Sequence, residues 1–164
     1  GLGDVYKRQT KNTKEYVNYG FSKIIGVCAL LIGTGTIAGI IKNSTLQTDM
    51  INLITAFNLP AFILAPVAGI LMGGATASTT AGSTIASQTF AKSLIDANVT
   101  ALNAGAMVHA GATVIDSLPH GSFFHATGGS VKMSIADRLK IIPYEAAVGL
   151  TTTIASVLVY LITK

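Results

Sequence analysis

The sequence predicts an all-α membrane protein, a bundle of transmembrane helices that contains a re-entrant hairpin and a broken helix. First, 50% of the 164 residues are apolar and only 11% are charged, whereas about a quarter of the residues are charged in typical soluble domains. Second, uncharged and largely apolar runs cover residues 24–41, 50–91 and 146–163, and about 20 helical residues cross a hydrocarbon core of ~30 Å. Third, glycine is abundant, with 17 residues, which is typical of closely packed membrane helices.

Charge and cysteine content exclude two other classes of protein. The formal net charge is +4, but five of the eleven basic residues lie before position 24, and no basic stripe with interleaved aromatic residues follows. We therefore expect no nucleic-acid partner. Cys28 is the only cysteine, so an internal disulfide and a disulfide-stapled secreted scaffold are excluded.

The first helix is predicted at residues 24–41. Residues 1–9 start without Met and resemble translated sequencing-adapter read-through, so we expect a non-native assembly scar there and native sequence at 10–164. Residues 10–22 are polar and predict a loop or an entry at the membrane surface. The run 24–41 is long enough to span, and its glycines indicate close approach of another helix. These glycines are Gly26, Gly33, Gly35 and Gly39.

A second span and a hairpin are predicted next. Residues 50–72 form the span, which Pro60 and Pro66 are expected to kink. Residues 73–89 remain uncharged but consist mainly of glycine, serine and threonine, which is too polar for a helix facing lipid. Since non-helical backbone at membrane depth is tolerated only inside protein or beside a wet cavity, we predict a re-entrant hairpin at 73–89.

The third apolar segment, 99–115, predicts a broken helix. On a helix, one face holds nearly all the strongly polar groups of the segment, with Asn103 as the main exception. The residues on this face are Asn98, Gly105, His109, Thr113, Asp116 and His120. Asp116 is the only charged residue between Asp96 and Lys132, and a charge at the centre of a membrane helix costs at least ~2.5–3.5 kcal/mol. Pro119 is expected to break the helix, which makes Asp116 and the histidines candidates for proton coupling. The alternative is that Asp116 caps the helix at an interface.

The end of the chain predicts a short interfacial helix followed by a last span. Ser134 and Asp137 have the spacing of a capping box, which starts the interfacial helix. Pro143 suits an early position of the last span, which runs to about Ile162. Glu145 is then expected in the first turn, where it complements the helix dipole.

The hairpin also supplies candidate ligands for an anion. Free backbone N–H groups, helix N-termini and hydroxyl groups bind anions without a full counter-charge. The candidates are Thr76, Ser78, Thr79, Thr80, Gly82, Ser83 and Thr84. The alternative is that these small residues only permit close packing. We expect no bound metal, because His109, Asp116, His120 and His125 match no usual zinc spacing, and no other cofactor.

The residues Asp-Ser-Leu-Pro-His-Gly at 116–121 carry a family resemblance. They resemble the C-terminal part of the gluconate permease (GntP) family, which includes gluconate:proton symporters and hydroxybutyrate-type carboxylate permeases. The likeness covers roughly residues 20–164. Members of that family commonly carry Gly-Gly-Leu before the aspartate and Asn after the histidine. Here Thr113-Val114-Ile115 precede Asp116, and Gly121 follows His120 directly.

The resemblance implies a secondary transporter of an organic acid and carries over Asp116, Ser117, Pro119 and His120 as residues of the site region. It implies that 10–164 is the C-terminal transmembrane part of a permease, with a partial transporter fold, in a bacterial-type inner membrane that the complete chain crosses several times. Expected partners are a small organic acid anion, protons, membrane lipid and the missing N-terminal half; a homo-oligomer stays open. Ser117 joins the hairpin as substrate ligand, and His109 and His120 join Asp116 in coupling.

Two alternatives stay open beside this expectation of a transporter that is not an enzyme. The first is an intramembrane metal-dependent enzyme that uses His109, Asp116 and His120. The second is a non-catalytic membrane subunit whose faces of small residues only pack against partners.

Overall fold

A computed structural model describes residues 13–163, and all of their regular structure is helical, with no strand among them. The helices are α1 (Thr13–Lys42), α2 (Leu46–Ala56), α3 (Leu64–Thr76), α4 (Thr79–Asp96), α5 (Ala101–Ala112), α6 (Ser122–Ser130) and α7 (Ile135–Thr163), and a 3-10 turn, Ala61–Ile63, precedes α3. The all-α prediction is therefore confirmed for the described residues. The predicted scar at 1–9 lies outside them.

The chain divides into two compact units, residues 1–33 and 34–164. The first unit is helical from Thr13 onward, so the predicted loop at 10–22 is wrong for the part that the structure describes. Glu15 lies in the first turn of α1, where a carboxylate stabilises a helix. In the second unit, a Cβ at Gly39 would have open space around it, so this glycine does not make the predicted close approach. The side-chain surroundings of Gly26 and Gly35 lie outside the description.

The predicted span at 50–72 is not a single kinked helix, because the chain leaves the helical conformation between α2 and α3, around Pro60. Asn58 has a positive φ of 51°, a conformation that asparagine tolerates better than most residues. Pro60 lacks an N–H and disfavours a helical conformation for the residue before it. Pro66 lies in the first turn of α3, where its missing N–H has no helical partner to lose, and it does not interrupt that helix.

Helices α3, α4 and α5 form the centre of the second unit. Helix α3 lies against both α4 and α5, and α5 also lies against α7. Large buried side chains fill the space between them, among them Ile85, Phe90, Leu94, Met107 and Val108. Glycine permits the close contact, because a Cβ at Gly69 would overlap the backbone of Val108. The prediction of closely packed, glycine-rich helices therefore applies to α3 and α5.

A helical hairpin occupies the predicted position at 73–89. Helices α3 and α4 are joined by two residues, left-handed Ala77 (φ 44°, ψ 44°) and extended Ser78. The Ser78 hydroxyl accepts a hydrogen bond from the Ala81 N–H at 3.2 Å, which caps α4. The run of serine and threonine is thus helical except at this turn. Its re-entrant position in a membrane stays a prediction.

The predicted polar face of the third segment is wrong, because α5 ends at Ala112 and leaves Asp116 and His120 in the following loop. Asn98 lies before α5 with a φ of 61°. The helix ends in a tight turn in which Thr113 donates both its N–H and its hydroxyl to the Ala110 carbonyl. Asp116 is therefore a loop residue, four positions after the helix.

Ser134 caps α7 as predicted, since its hydroxyl accepts from the Asp137 N–H at 3.2 Å, and the Asp137 carboxylate accepts from the Ser134 hydroxyl at 2.6 Å. The predicted boundary between an interfacial helix and a last span is wrong. Helix α7 continues through Pro143, and Glu145 lies in its interior rather than in its first turn. Where backbone and side chains are both described, one helix, α7, is long and apolar enough to cross a membrane.

Candidate functional site

The candidate site centres on the carboxylate of Asp116. The Thr79 hydroxyl donates a hydrogen bond to Asp116 Oδ2, and the Ser117 hydroxyl donates to Asp116 Oδ1 at 3.0 Å. Thr79 is the first residue of α4, where the helix dipole favours a nearby negative charge. The hairpin turn and the loop after α5 therefore meet at Asp116.

A second contact holds the same two segments together. Gly121 ends the loop after α5, and a Cβ at this position would overlap the carbonyl oxygen of Ala77 in the hairpin turn. The loop closes on itself through a hydrogen bond from the Gly121 N–H to the Leu118 carbonyl at 2.9 Å. Glycine at 121 thus permits the approach that brings Asp116 to Thr79.

Two cavities adjoin Asp116. The smaller, about 240 Å³, is lined by the hairpin turn and by Asp116, Ser122 and Phe123; we call it the turn cavity. The larger, about 510 Å³, has Asp116, Ser117, Phe123 and Glu145 in its wall; we call it the large cavity. Asp116 and Phe123 line both. The carboxylate therefore stands where the two spaces adjoin.

The structure brings together some of the predicted hairpin ligands. Ser78, Thr79 and Thr80 line the turn cavity, and Ser117 lines the large one. The other four hairpin candidates line neither cavity. The Thr76 hydroxyl donates to the Met72 carbonyl of its own helix at 2.8 Å.

The remaining three candidates are engaged within the hairpin. The Ser83 and Thr84 hydroxyls both donate to the Thr80 carbonyl, at 3.3 and 2.7 Å. Gly82 is buried in the contact between α3 and α4, where a Cβ would lie 2.5 Å from the Cα of Gly73. Gly82 therefore allows close packing of the hairpin, as the alternative interpretation of the small residues expects.

The predicted coupling histidines do not line either cavity. His109 is exposed on α5, and His120 is exposed in the loop after Asp116. His125 contacts the Pro119 carbonyl through Nε2 at 2.8 Å. Within residues 13–163 no group of three or more His, Cys, Asp or Glu side chains is arranged to hold a metal ion.

An ion pair near the site was not predicted from the sequence. Arg138 donates to both oxygens of Glu145, at 2.7 and 2.9 Å, and its Nε donates to the Thr127 hydroxyl at 3.2 Å. The Arg138 side chain is 4% exposed and that of Glu145 is 31% exposed. Residues seven positions apart lie on one helix face. The seven-residue spacing of Arg138 and Glu145 is therefore the feature of the sequence from which this ion pair could be predicted.

A further ion pair lies on the exposed surface of α4. Lys92 donates to Asp96 at 2.7 Å, and this hydrogen bond raises the pKa of Lys92 above its ordinary value. Exposed pairs of this kind stabilise a protein little. The Asp96 carboxylate therefore serves as the reference for the Asp116 carboxylate in the experiments below.

One curated protein is similar to most of this chain. It is a protein of Haemophilus influenzae named "Uncharacterized transporter", and the two are 53% identical over 159 residues, which is 97% of this chain. The chain spans 38% of the length of that relative. No family model matches the chain, and no solved structure matches it.

Proposed function

We propose that this chain is part of a membrane transporter that moves a small organic acid anion together with protons, and that Asp116 is the coupling carboxylate. The observation that carries the proposal is the position of Asp116, hydrogen-bonded to the first residue of α4 and present in the walls of both cavities. Membrane transporters commonly place their sites where helices are interrupted.

Three observations support transport as the general function. The relative in Haemophilus influenzae is named a transporter. Helix α7 is long and apolar enough to span a bilayer. The motif at 116–121 resembles the gluconate permease family, which favours an organic acid as the substrate and a bacterial inner membrane as the location. We propose that the complete transporter adds an N-terminal half to this chain and crosses the membrane several times.

Charge repulsion at Asp116 explains how a proton and an anion can move together. An ionised Asp116 only accepts hydrogen bonds, whereas a protonated one also donates. Two like charges about 4 Å apart repel by about 4 kcal/mol at an effective dielectric constant of 20, or roughly a thousandfold in affinity. An anion in either cavity therefore binds well only after Asp116 has taken up a proton. Both are then released together.

Ser78, Thr79 and Thr80 are proposed to hold the anion with the N–H groups at the start of α4. Ser117 and Thr79 donate to Asp116 in the substrate-free arrangement. When Asp116 is protonated, these hydroxyls are free to turn their hydrogens toward a bound carboxylate. We propose His120, exposed four residues after Asp116, as a proton relay. His109 is given no role, because it is exposed on α5 and lies outside the loop that carries Asp116.

The test is uptake of labelled gluconate and 3-hydroxybutyrate by the complete transporter in proteoliposomes with an inward proton gradient. We expect accumulation by the wild type and its loss in Asp116→Asn, because this variant cannot release a proton. Asp96→Asn is the matched control, since it makes the same change in an exposed carboxylate outside the site. Gradient-dependent accumulation by Asp116→Asn would contradict the proposal. Stoichiometric metal in the purified protein would favour the metal-dependent alternative.

A further inference from the structure

We propose that Arg138 is a positioning residue of this transporter: it holds α6, and with it Phe123, against the two cavities at Asp116. The part of this proposal that concerns substrate choice rests on the proposed function. Its structural part, that Arg138 sets the position of α6, stands on contacts alone.

Arg138 contacts α6 in three ways. Its Nε donates to the Thr127 hydroxyl at 3.2 Å, and its guanidinium carbon lies 5.1 Å from the centre of the Phe124 ring, within the range of a cation–π interaction. The aliphatic part of its side chain lies along Gly128, where a Cβ would be 3.6–3.8 Å away. These α6 residues lie at helical spacing on the face that meets Arg138.

Glu145 fixes the guanidinium in this position. Its two carboxylate oxygens accept from both terminal nitrogens of Arg138, which sets the plane of the guanidinium as well as its charge. Both residues belong to α7, two turns apart. Glu145 therefore holds Arg138 in one position on α7, where its Nε and the face of its guanidinium contact α6. We call the Arg138–Glu145 pair the bracket.

Helix α6 depends on such contacts because it has only nine residues. Isolated helices shorter than about 12 residues are marginal in water, and packing decides their position. The residues at its start form part of the site: Ser122 lines the turn cavity, and Phe123 lines both cavities. A displacement of α6 therefore moves the Phe123 ring that stands between the two spaces.

Substrate size is the property that this ring should control. The charged and titratable groups in the wall of the large cavity are Asp116, Tyr144 and Glu145, and none of them is on α6. Arg138 itself is not in this wall, so Arg138→Lys changes the space through α6 and leaves these groups in place. We therefore infer that Arg138 and Phe123 together set the length of the hydroxy acid that is transported.

The structural test measures the distance between spin labels on the complete transporter. Labels at exposed Ala126 on α6 and exposed Leu150 on α7, each introduced as cysteine, report the position of α6. The background is a complete transporter whose native cysteines, Cys28 included, are replaced by serine. We expect one narrow distance distribution in the wild type. Arg138→Lys keeps the charge but loses the planar fork, and it should shift or broaden the distribution by more than about 2 Å. An unchanged distribution would overturn the proposal.

A second variant keeps the experiment decisive if Arg138→Lys folds poorly. Replacing a buried ion pair by apolar residues of similar size is often well tolerated, so Arg138→Met combined with Glu145→Met removes the bracket without leaving an unpaired charge. We expect the same shift in label distance. Lys140→Met is the matched control on α7, because Lys140 pairs only with exposed Asp137, and it should leave the distance unchanged.

The functional test compares KM for a four-carbon and a six-carbon hydroxy acid. We expect Phe123→Ala and Arg138→Lys each to change the ratio of the two KM values, and neither removes a charged group from the cavity wall. The change in the combined variant should fall short of the product of the two single changes by at least about threefold, as coupled residues do. If the two changes in the KM ratio simply multiply in the combined variant, the coupling of Arg138 to Phe123 is overturned. If the wild type transports no organic acid, the proposed function fails, while the label distances still decide the role of Arg138.

Discussion

Thr79 and Asp116, 37 residues apart, are joined by a hydrogen bond from the Thr79 hydroxyl to the Asp116 carboxylate. The bond connects the first residue of α4 with the loop after α5. A change at either residue therefore affects the contact between these two segments.

Removing the donor should weaken the junction. In Thr79→Val the hydroxyl is lost and shape is kept, and hydrogen bonds to charged groups contribute about 1.5–3 kcal/mol. We expect a lower Tm in detergent and a changed pH dependence of uptake. Thr84→Val is the matched control, because the Thr84 hydroxyl donates only within its own helix, to the Thr80 carbonyl. Equal effects of the two variants would show that the Thr79–Asp116 bond has no special role.

Adding one methyl group at Gly121 should separate the loop from the hairpin turn. The new Cβ in Gly121→Ala would overlap the Ala77 backbone, and overpacking of this kind costs about 1–3 kcal/mol. We expect a lower Tm and reduced uptake. Gly129→Ala makes the same change on α6, where a Cβ has open space, and it should stabilise the helix slightly. A Tm for Gly121→Ala equal to that of Gly129→Ala would refute the close contact.

Breaking the buried ion pair from one side should destabilise the protein strongly. Glu145→Leu leaves the Arg138 guanidinium without its carboxylate partner, and such changes cost about 3–5 kcal/mol. The double replacement by methionine should recover most of the loss. Thermal unfolding of the three proteins in detergent measures both effects. A double variant no more stable than Glu145→Leu would contradict this view of the pair.

The sequence predicts the hairpin well and the loop poorly, for physical reasons. The hairpin at 73–89 is recognisable from a change of composition. A run of hydroxyl and glycine residues is unsuited to a helix that faces lipid. The end of α5 has no such local mark. Helix α7 lies directly against the chain there, since a Cβ at Gly149 would lie 2.5 Å from the Thr113 carbonyl oxygen. Asp116 is recognisable in the sequence as an isolated charge, but its partner Thr79 follows only from tertiary packing.

The course of α7 could not be predicted for a related reason. Proline usually marks the first turn of a helix, which placed the boundary at Pro143. In the structure the Arg138–Glu145 pair bridges this proline on one face of a continuous helix. A bond between residues on either side of a proline stabilises the helix there, and its presence depends on the helix being formed. Rules based on the local sequence therefore predict two helices with a boundary at Pro143, whereas the Arg138–Glu145 contact supports one continuous helix.

Counterflow exchange in the Asp116→Asn transporter tests the central claim most directly. Proteoliposomes are loaded with unlabelled organic acid, and entry of the labelled acid is measured without a proton gradient. Because asparagine resembles a permanently protonated Asp116, we predict that exchange persists in the variant, whereas gradient-driven accumulation is lost. Accumulation by the variant in a proton gradient at the level of the wild type would show that Asp116 is not the coupling carboxylate.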